Sequence, residues 1–290
     1  FGILPARAAQ FSRMSDPVFT FHEGSTPLLI SIPHDGREVP ESIVSRMTDA
    51  GRALPDTDWH VARLYEFAKT LGASLIIARQ SRYVVDLNRP AADVPLYEGR
   101  VSTGLCPAKT FGGELIYRDA AAVAADEQAQ RIKQYWRPYH AQIELTLDRL
   151  KQRHGYALLW DAHSIASEVP TLFAGELPVL NLGTFDGKSC SQHIRRELAG
   201  FADRSPFSAV CDGRFKGGFI TRHYGRPENA VHAVQLELAQ RSYMNEKTLR
   251  YDASSSNELA ERCAVCSRHM CKARNLNSRP YSEVGAPGER

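Results

Sequence analysis

Apolar residues recur along this chain in two rhythms. Short continuous runs at residues 28–32 ("LLISI"), 74–78, 83–87, 156–160, 179–182, 219–221 and 231–238 read as strands buried on both faces. Between them the spacing is nearer 3.6. Residues 56–72 ("DTDWHVARLYEFAKTLG") put Val61, Leu64, Tyr65, Ala68 and Leu71 on one helical face, with Asp56 or Thr57 as N-cap and Gly72 as the stop. A longer helical pattern covers about 120–153, its apolar side formed by Ile132, Trp136, Tyr139, Ile143, Leu147 and Leu150. Pro138 should kink or divide it. A further helix is expected at about 191–200, and residues 91–118, rich in Gly, Pro and turn formers, read as a long surface loop. Leu259, Cys263, Cys266 and Met270 fall at i, i+4, i+7 and i+11, one face of a terminal helix. This alternation predicts a single α/β domain with a mixed, mostly buried sheet flanked by helices. The expected boundaries are an N-terminal extension at 1–14, the domain at 15–274 and a disordered tail at 275–290.

Composition narrows the class. A hydrophobic content of 43% with 24% charged residues is that of an ordinary soluble globular protein. No apolar stretch approaches the roughly 18 residues of a membrane span, and the first residues lack the apolar core of a secretory signal. The net charge of +3 hides an asymmetry: residues 262–290 hold six basic residues against Glu283 and Glu289, leaving the rest nearly neutral. No basic stripe with interleaved aromatics runs through the body, so neither nucleic acid nor a membrane is the expected partner. Six scattered cysteines in a chain of 290 residues suit a reducing cytoplasm better than a disulfide framework. The cluster "CAVCSRHMC" packs its candidate zinc ligands into nine residues with no second arm, which favours the helical reading.

Ionisable residues collect where the strands end. The first run leads into His34 ("ISIPHDG"), the run at 83–87 into Asn88 and Arg89 ("YVVDLNRP"), and the run at 156–160 into Asp161 and His163 ("LLWDAHS"). Glu237 lies near the end of "VHAVQLELAQ". One histidine at a strand end is commonly an inert, hydrogen-bonded rim residue. Four strands delivering polar groups to one edge point instead to a site, because open α/β sheets bind ligands beyond the carboxyl ends of their strands. Two imidazoles and a carboxylate form the usual set of a hydrolytic zinc centre. His34 and His163 supply the imidazoles, and Asp58, with Asp56 as its competitor, supplies the carboxylate. Asp161, two residues before His163 on the same strand face, would orient that ring. Glu237 is costly to bury unless paired or protonated, and beside a metal it would serve as general base.

The segments "SIPHDG", "DTDWHV", "SRYVVDLNRP", "TGLCPAKTFGGELIY", "DAHSIASEVP", "LNLGTFDGKSC", "GGFITRHYG" and "VHAVQLELAQ" resemble the N-formylglutamate amidohydrolase family, over about residues 28–243. More distantly, "DLNR" resembles the substrate-carboxylate element of zinc carboxypeptidases and aspartoacylases. The resemblance implies a phosphorylase/hydrolase-like α/β fold and metal-dependent hydrolysis of N-formyl-glutamate to formate and glutamate, as in histidine breakdown. It implies His34 and His163 as metal ligands, Glu237 as base, and Asn88 with Arg89 as a carboxylate clamp. Arg82 would polarise the scissile carbonyl. The stretch "GTFDGKS" imitates a phosphate-binding loop but is one residue short of it. Its backbone N–H groups, or Arg222 in "TRHYG", would hold a second carboxylate, whereas His223 and His232 read as structural. The other readings are a zinc hydrolase of another N-acyl amino acid or small peptide, and a catalytically silent binding protein with the same cleft.

Overall fold

The computed structural model describes residues 17–95, 103–119 and 123–275, with side chains to 272. The expected extension at 1–14 and residues 276–290 of the expected tail lie outside them. β1 (Phe19–His22) and β2 (Leu28–Ile32) precede four single-turn helices, α1 (Glu41–Val44), α2 (Asp49–Arg52), α3 (Val61–Leu64) and α4 (Phe67–Thr70). The next described elements after β3 (Ser74–Ala78) are α5 (Ala125–Arg131) and α6 (Arg137–His154), joined by a π-helical turn. Then come β4 (Ala157–Ile165), β5 (Leu180–Gly183), α7 (Gln192–Asp203), β6 (Ala209–Cys211), α8 (Phe219–Tyr224) and β7 (Val231–Ala239). A two-residue hairpin, β8 (Met244–Asn245) and β9 (Arg250–Tyr251), and a long α9 (Ala253–Asn275) complete the described chain.

Seven strands form one sheet in the order β1-β3-β2-β4-β7-β5-β6. β3, β2, β4 and β7 run parallel, β1 lies antiparallel on β3, and β5 returns antiparallel against β7. Strand alternation sorts the side chains into two layers. Leu158, Trp160 and Ala162 of β4 and Val234, Leu236 and Leu238 of β7 face a core shared with α3, α4, α7 and α9. Ala157 and Leu159, with Ala233, face the opposite core, under Tyr139, Ile143 and Leu147 of α6 and Ile220 of α8. The four residues Leu259, Cys263, Cys266 and Met270 all turn into the first core, as their spacing predicts. Cys263 and Cys266 are therefore packed apolar groups.

Several elements differ from the sequence reading. Residues 83–87 are fully buried yet form turns instead of a strand. Carbonyls of this segment, and that of Arg89 just beyond it, accept from side chains of the long helix, while the N–H groups of Val84 and Asp86 reach the carbonyls of Ser81 and Leu105. Arg131 donates to the carbonyls of Tyr83 and Val84, Trp136 Nε1 donates to Arg89 O at 2.9 Å, and His140 Nε2 donates to Leu87 O at 2.9 Å. A buried segment needs partners for its backbone, and a sheet is only one way to supply them. The π-helical turn Ile132–Trp136 lies between the first of these donors and the last, and it carries the helix into Pro138 without dividing it. Residues 219–221, expected as a strand, begin α8 instead: Ile220 and Tyr224 make an i, i+4 pair on the core side, and short apolar runs do not distinguish the two states. The helix expected at 56–72 starts only at Val61, because His60 adopts a left-handed φ of 65°, and it is two separate turns, because Tyr65 leaves the helical region at φ −95°, ψ 16°. The cap comes from elsewhere: Asp35 accepts from the backbone N–H of His60 and Ala62, both at 3.1 Å. β1 and β6, on the two edges of the sheet, were not anticipated.

Candidate active site

The strand that breaks the apolar pattern at Asp161 does not end there. β4 continues to Ile165, so Leu159, Asp161 and His163 point successively to one face, apolar under α6 and polar beyond it. β7 does the same with Ala233, Gln235 and Glu237, and the parallel register sets Asp161 beside Gln235 and His163 beside Glu237. His34 follows the end of β2, and its carbonyl accepts from the N–H of Asp58 at 3.0 Å. His34, Asp58, His163, Gln235 and Glu237 line one pocket of about 120 Å³ with Arg82, Asp86, Asn88, Arg89, Phe111 and Gly218.

Two imidazoles face a central carboxylate. His163 Nδ1 lies 3.0 Å and His34 Nδ1 3.7 Å from Asp58 Oδ2, and one potential ligand atom from each of the three residues falls within 4.8 Å of the others. All three are buried. His34 Nε2 donates to Asp86 Oδ1 at 2.8 Å, so in the neutral ring Nδ1 carries the lone pair. That Nδ1 is buried without a hydrogen-bond partner among the described residues. A lone pair opposed to a carboxylate in a dry site is unfavourable unless a cation lies between them, so the donor set fits a divalent metal ion. Asp56, the competing ligand, is occupied elsewhere: its Oδ2 accepts from Tyr83 OH at 2.7 Å and from the N–H of Phe111 at 2.8 Å.

The ligands are held in turn. His163 Nε2 lies 3.1 Å from Asp161 Oδ2. Asp86 also accepts from Arg82 Nη2 and from the N–H of Asn88, each at 2.8 Å, and Arg89 Nε lies 3.9 Å away. Burial opposes ionisation of Asp58 and Asp86, but His34 beside both, His163 beside Asp58 and Arg82 beside Asp86 keep the two carboxyls below the usual range. Burial also opposes a charge on His163, and Asp161 with Asp58 more than reverses it, raising the imidazole. Glu237 goes the other way. Burial, with further repulsion from Asp58 and Asp161, raises it to about 8 against the pull of His163 and Arg82. Gln235 Nε2 donates to Glu237 Oε2 at 3.2 Å, and Gln235 Oε1 accepts from the N–H of Gly218 at 2.7 Å.

The remaining expected residues are placed as follows. Arg82 enters the pocket over the Phe111 ring, 4.8 Å from its centroid, with Nε lacking a partner among the described residues. Asn88 is committed to the protein: Oδ1 accepts from Ile220 N–H at 2.8 Å, and Nδ2 lies 3.0 Å from His163 Nε2 and 3.4 Å from Asp161 Oδ2. A Cβ on Gly218 would sit 2.2 Å from that Nδ2, so only glycine lets the α8 loop approach so closely. Arg222 does not line the pocket. Its Nε donates to Gly217 O at 2.8 Å and its guanidinium lies over Phe185, so it backs the pocket wall. The 183–189 turn does bind a carboxylate, but the protein's own: Asp212 accepts from Thr184 N–H at 2.7 Å, Thr184 Oγ1 at 2.6 Å and Asp186 N–H at 3.3 Å. Asp86, Gln235 and Phe111 escaped the sequence reading. For Gln235 a signal existed, since it lies two residues before Glu237 on the same strand face.

Known proteins resemble this chain in sequence and in fold. The family model described as N-formylglutamate amidohydrolase matches residues 26–244. An N-formylglutamate deformylase of Pseudomonas putida is 51% identical over 80% of this chain and 86% of its own. One from Pseudomonas aeruginosa is 52% identical over 80% of this chain and 87% of its own. A crystal structure of N-formylglutamate amidohydrolase from Ralstonia eutropha JMP134 superposes with a TM-score of 0.76 at 22% identity, covering 89% of this chain and 99% of that one, and so shares the fold. The chain belongs to the N-formylglutamate amidohydrolase family.

Proposed function

We propose that the protein hydrolyses N-formyl-L-glutamate to formate and L-glutamate, with one divalent ion, Zn²⁺, held by His34, Asp58 and His163. The observation that carries the metal reading is the buried, unpartnered Nδ1 of His34 opposite Asp58. A bound Zn²⁺ supplies Lewis acidity at the scissile carbonyl and lowers the pKa of a water. Glu237, close to neutrality in its pKa, takes a proton from the attacking water and delivers one to the departing nitrogen. The carbon–nitrogen bond breaks, formate leaves, and the amino group of glutamate forms. Arg82 places its cation beside the carbonyl oxygen, where negative charge develops. Arg89 binds a substrate carboxylate with its planar fork, and Asn88 shapes the wall beside it. The reaction belongs to histidine breakdown in the cytoplasm, and the partner is a small molecule. No described helix is long and apolar enough to cross a membrane.

Substrate charge tests this reading. The protein should prefer N-formyl-glutamate to N-formyl-glutamine in kcat/KM, and Arg89→Lys should lose activity because an ammonium cannot reproduce the fork. Equal kcat/KM for both substrates would remove the dicarboxylate assignment and favour a broader N-acyl amino acid hydrolase.

A further inference from the structure

A second cavity of about 320 Å³ adjoins the active-site pocket. Phe111, Ser164 and Ile165 line both cavities. Two of these are fixed in β4. The Ser164 N–H donates to the ligand carboxylate of Asp58 at 3.1 Å, and its hydroxyl accepts from Tyr243 OH at 2.7 Å. Phe111 alone comes from a loop. Its N–H is held by Asp56 and its carbonyl by the hydroxyl of Thr171, so the ring is the adjustable part of the partition. Beyond it the chamber is largely apolar, with Pro55, Ala166, Val169 and Pro170 on its walls and Glu168 among its few charges.

We infer that Phe111 is the wall that confines the acyl group of the substrate to formyl, and that the chamber behind it accepts straight alkyl acyl groups once the ring is removed. This rests on the deformylase reading above. With the carbonyl oxygen at Arg82 and the amino-acid portion toward Arg89, the substituent on the carbonyl carbon must lie close to the ring beneath Arg82. A formyl group has only hydrogen there. A methyl or propyl group needs the volume the ring occupies, and the chamber offers it an apolar lining. An acyl group ending in a carboxylate meets Glu168 and Asp56 instead and is refused.

The test compares kcat/KM for N-formyl-, N-acetyl-, N-butyryl- and N-succinyl-L-glutamate on zinc-loaded wild type, Phe111→Ala and Phe111→Ala/Ala166→Trp. The butyryl-to-formyl ratio should rise about tenfold or more in Phe111→Ala, the size of effect a methylene or more has in an apolar pocket. The succinyl ratio should stay low, and the double variant, with the chamber refilled, should return toward wild type. A loss of folding alone would not be reversed by a second substitution. Should Phe111→Ala fail to fold, Phe111→Leu is read by the same ratio, with acetyl as the longer substrate. An active wild type whose ratios do not change in the folded variant overturns the wall. A metal-loaded wild type inert toward all four substrates overturns the deformylase reading, and the wall with it.

Discussion

Asp86 connects the metal ligands to the arginines, and replacing it by Asn separates its duties. Oδ1 accepts from His34 Nε2 and Asn88 N–H, whereas Oδ2 accepts from Arg82 Nη2, all at 2.8 Å. An amide keeps one acceptor. Two donors converge on Oδ1 and one on Oδ2, so the Asn oxygen stays toward His34 and its NH₂ turns to Arg82. The metal ligand keeps its orientation while a nearly buried guanidinium loses its main counter-charge. Breaking a buried ion pair costs about 3–5 kcal/mol, and the residual approach of Asp58 Oδ1 to Arg82, at 3.7 Å, puts this case near the lower end, about 3 kcal/mol. Weakening the support of a metal-ligating His lowers metal affinity by about 10–100-fold, and here the retained acceptor predicts about tenfold. Urea unfolding of chelator-treated protein reads the first figure, and competition with a chromogenic chelator reads the second. Burial opposes ionisation of Asp86, but His34 and Arg82 hold its carboxyl well below 3.8. Its stabilisation is therefore complete above about pH 4 and is lost as pH falls through the depressed value, so the gap between wild type and variant should narrow only in acid. A variant within about 0.5 kcal/mol of wild type at pH 7 would refute the buried-pair reasoning.

Glu237→Gln should retain metal while kcat falls by roughly 10²–10⁴, the range for a lost general base, as checked by steady-state kinetics with metal analysis. Because burial raises Glu237 from 4.5 to about 8, chelator-treated wild type should lose stability as pH climbs through that interval, and the Gln variant should lack this slope in thermal denaturation. His140→Phe leaves the buried Leu87 carbonyl without its donor. It should destabilise by about 1–3 kcal/mol and raise KM more than it lowers kcat, since the segment it anchors carries Arg89.

The candidate site was legible because ionisable residues follow or interrupt runs that are otherwise apolar. Asp161, His163 and Glu237 lie on buried strand positions that usually carry apolar side chains, and the parallel register brings His163 beside Glu237. The α/β class and the buried face of α9 followed from periodicity in the same way. What stayed hidden is what one segment does for another. Nothing in residues 83–87 says that their carbonyls are met by Arg131 and His140, and the carbonyl of Arg89 just beyond by Trp136, rather than by a neighbouring strand. The 183–189 turn has the composition to hold an anion, and the sequence does not say that Asp212 fills it. Asp86 reads as one more member of the "DLNR" run until the fold brings His34 to it.

Metal content and formate release, measured on the same samples of wild type and His34→Ala, test the site most directly. Zinc-reconstituted wild type should carry about one ion per chain and release formate from N-formyl-L-glutamate, and both should disappear after chelation and return with zinc. His34→Ala, its fold checked by circular dichroism, should lose both. Formate release by exhaustively chelated wild type, or full metal occupancy in His34→Ala, would contradict a catalytic centre built on His34, Asp58 and His163.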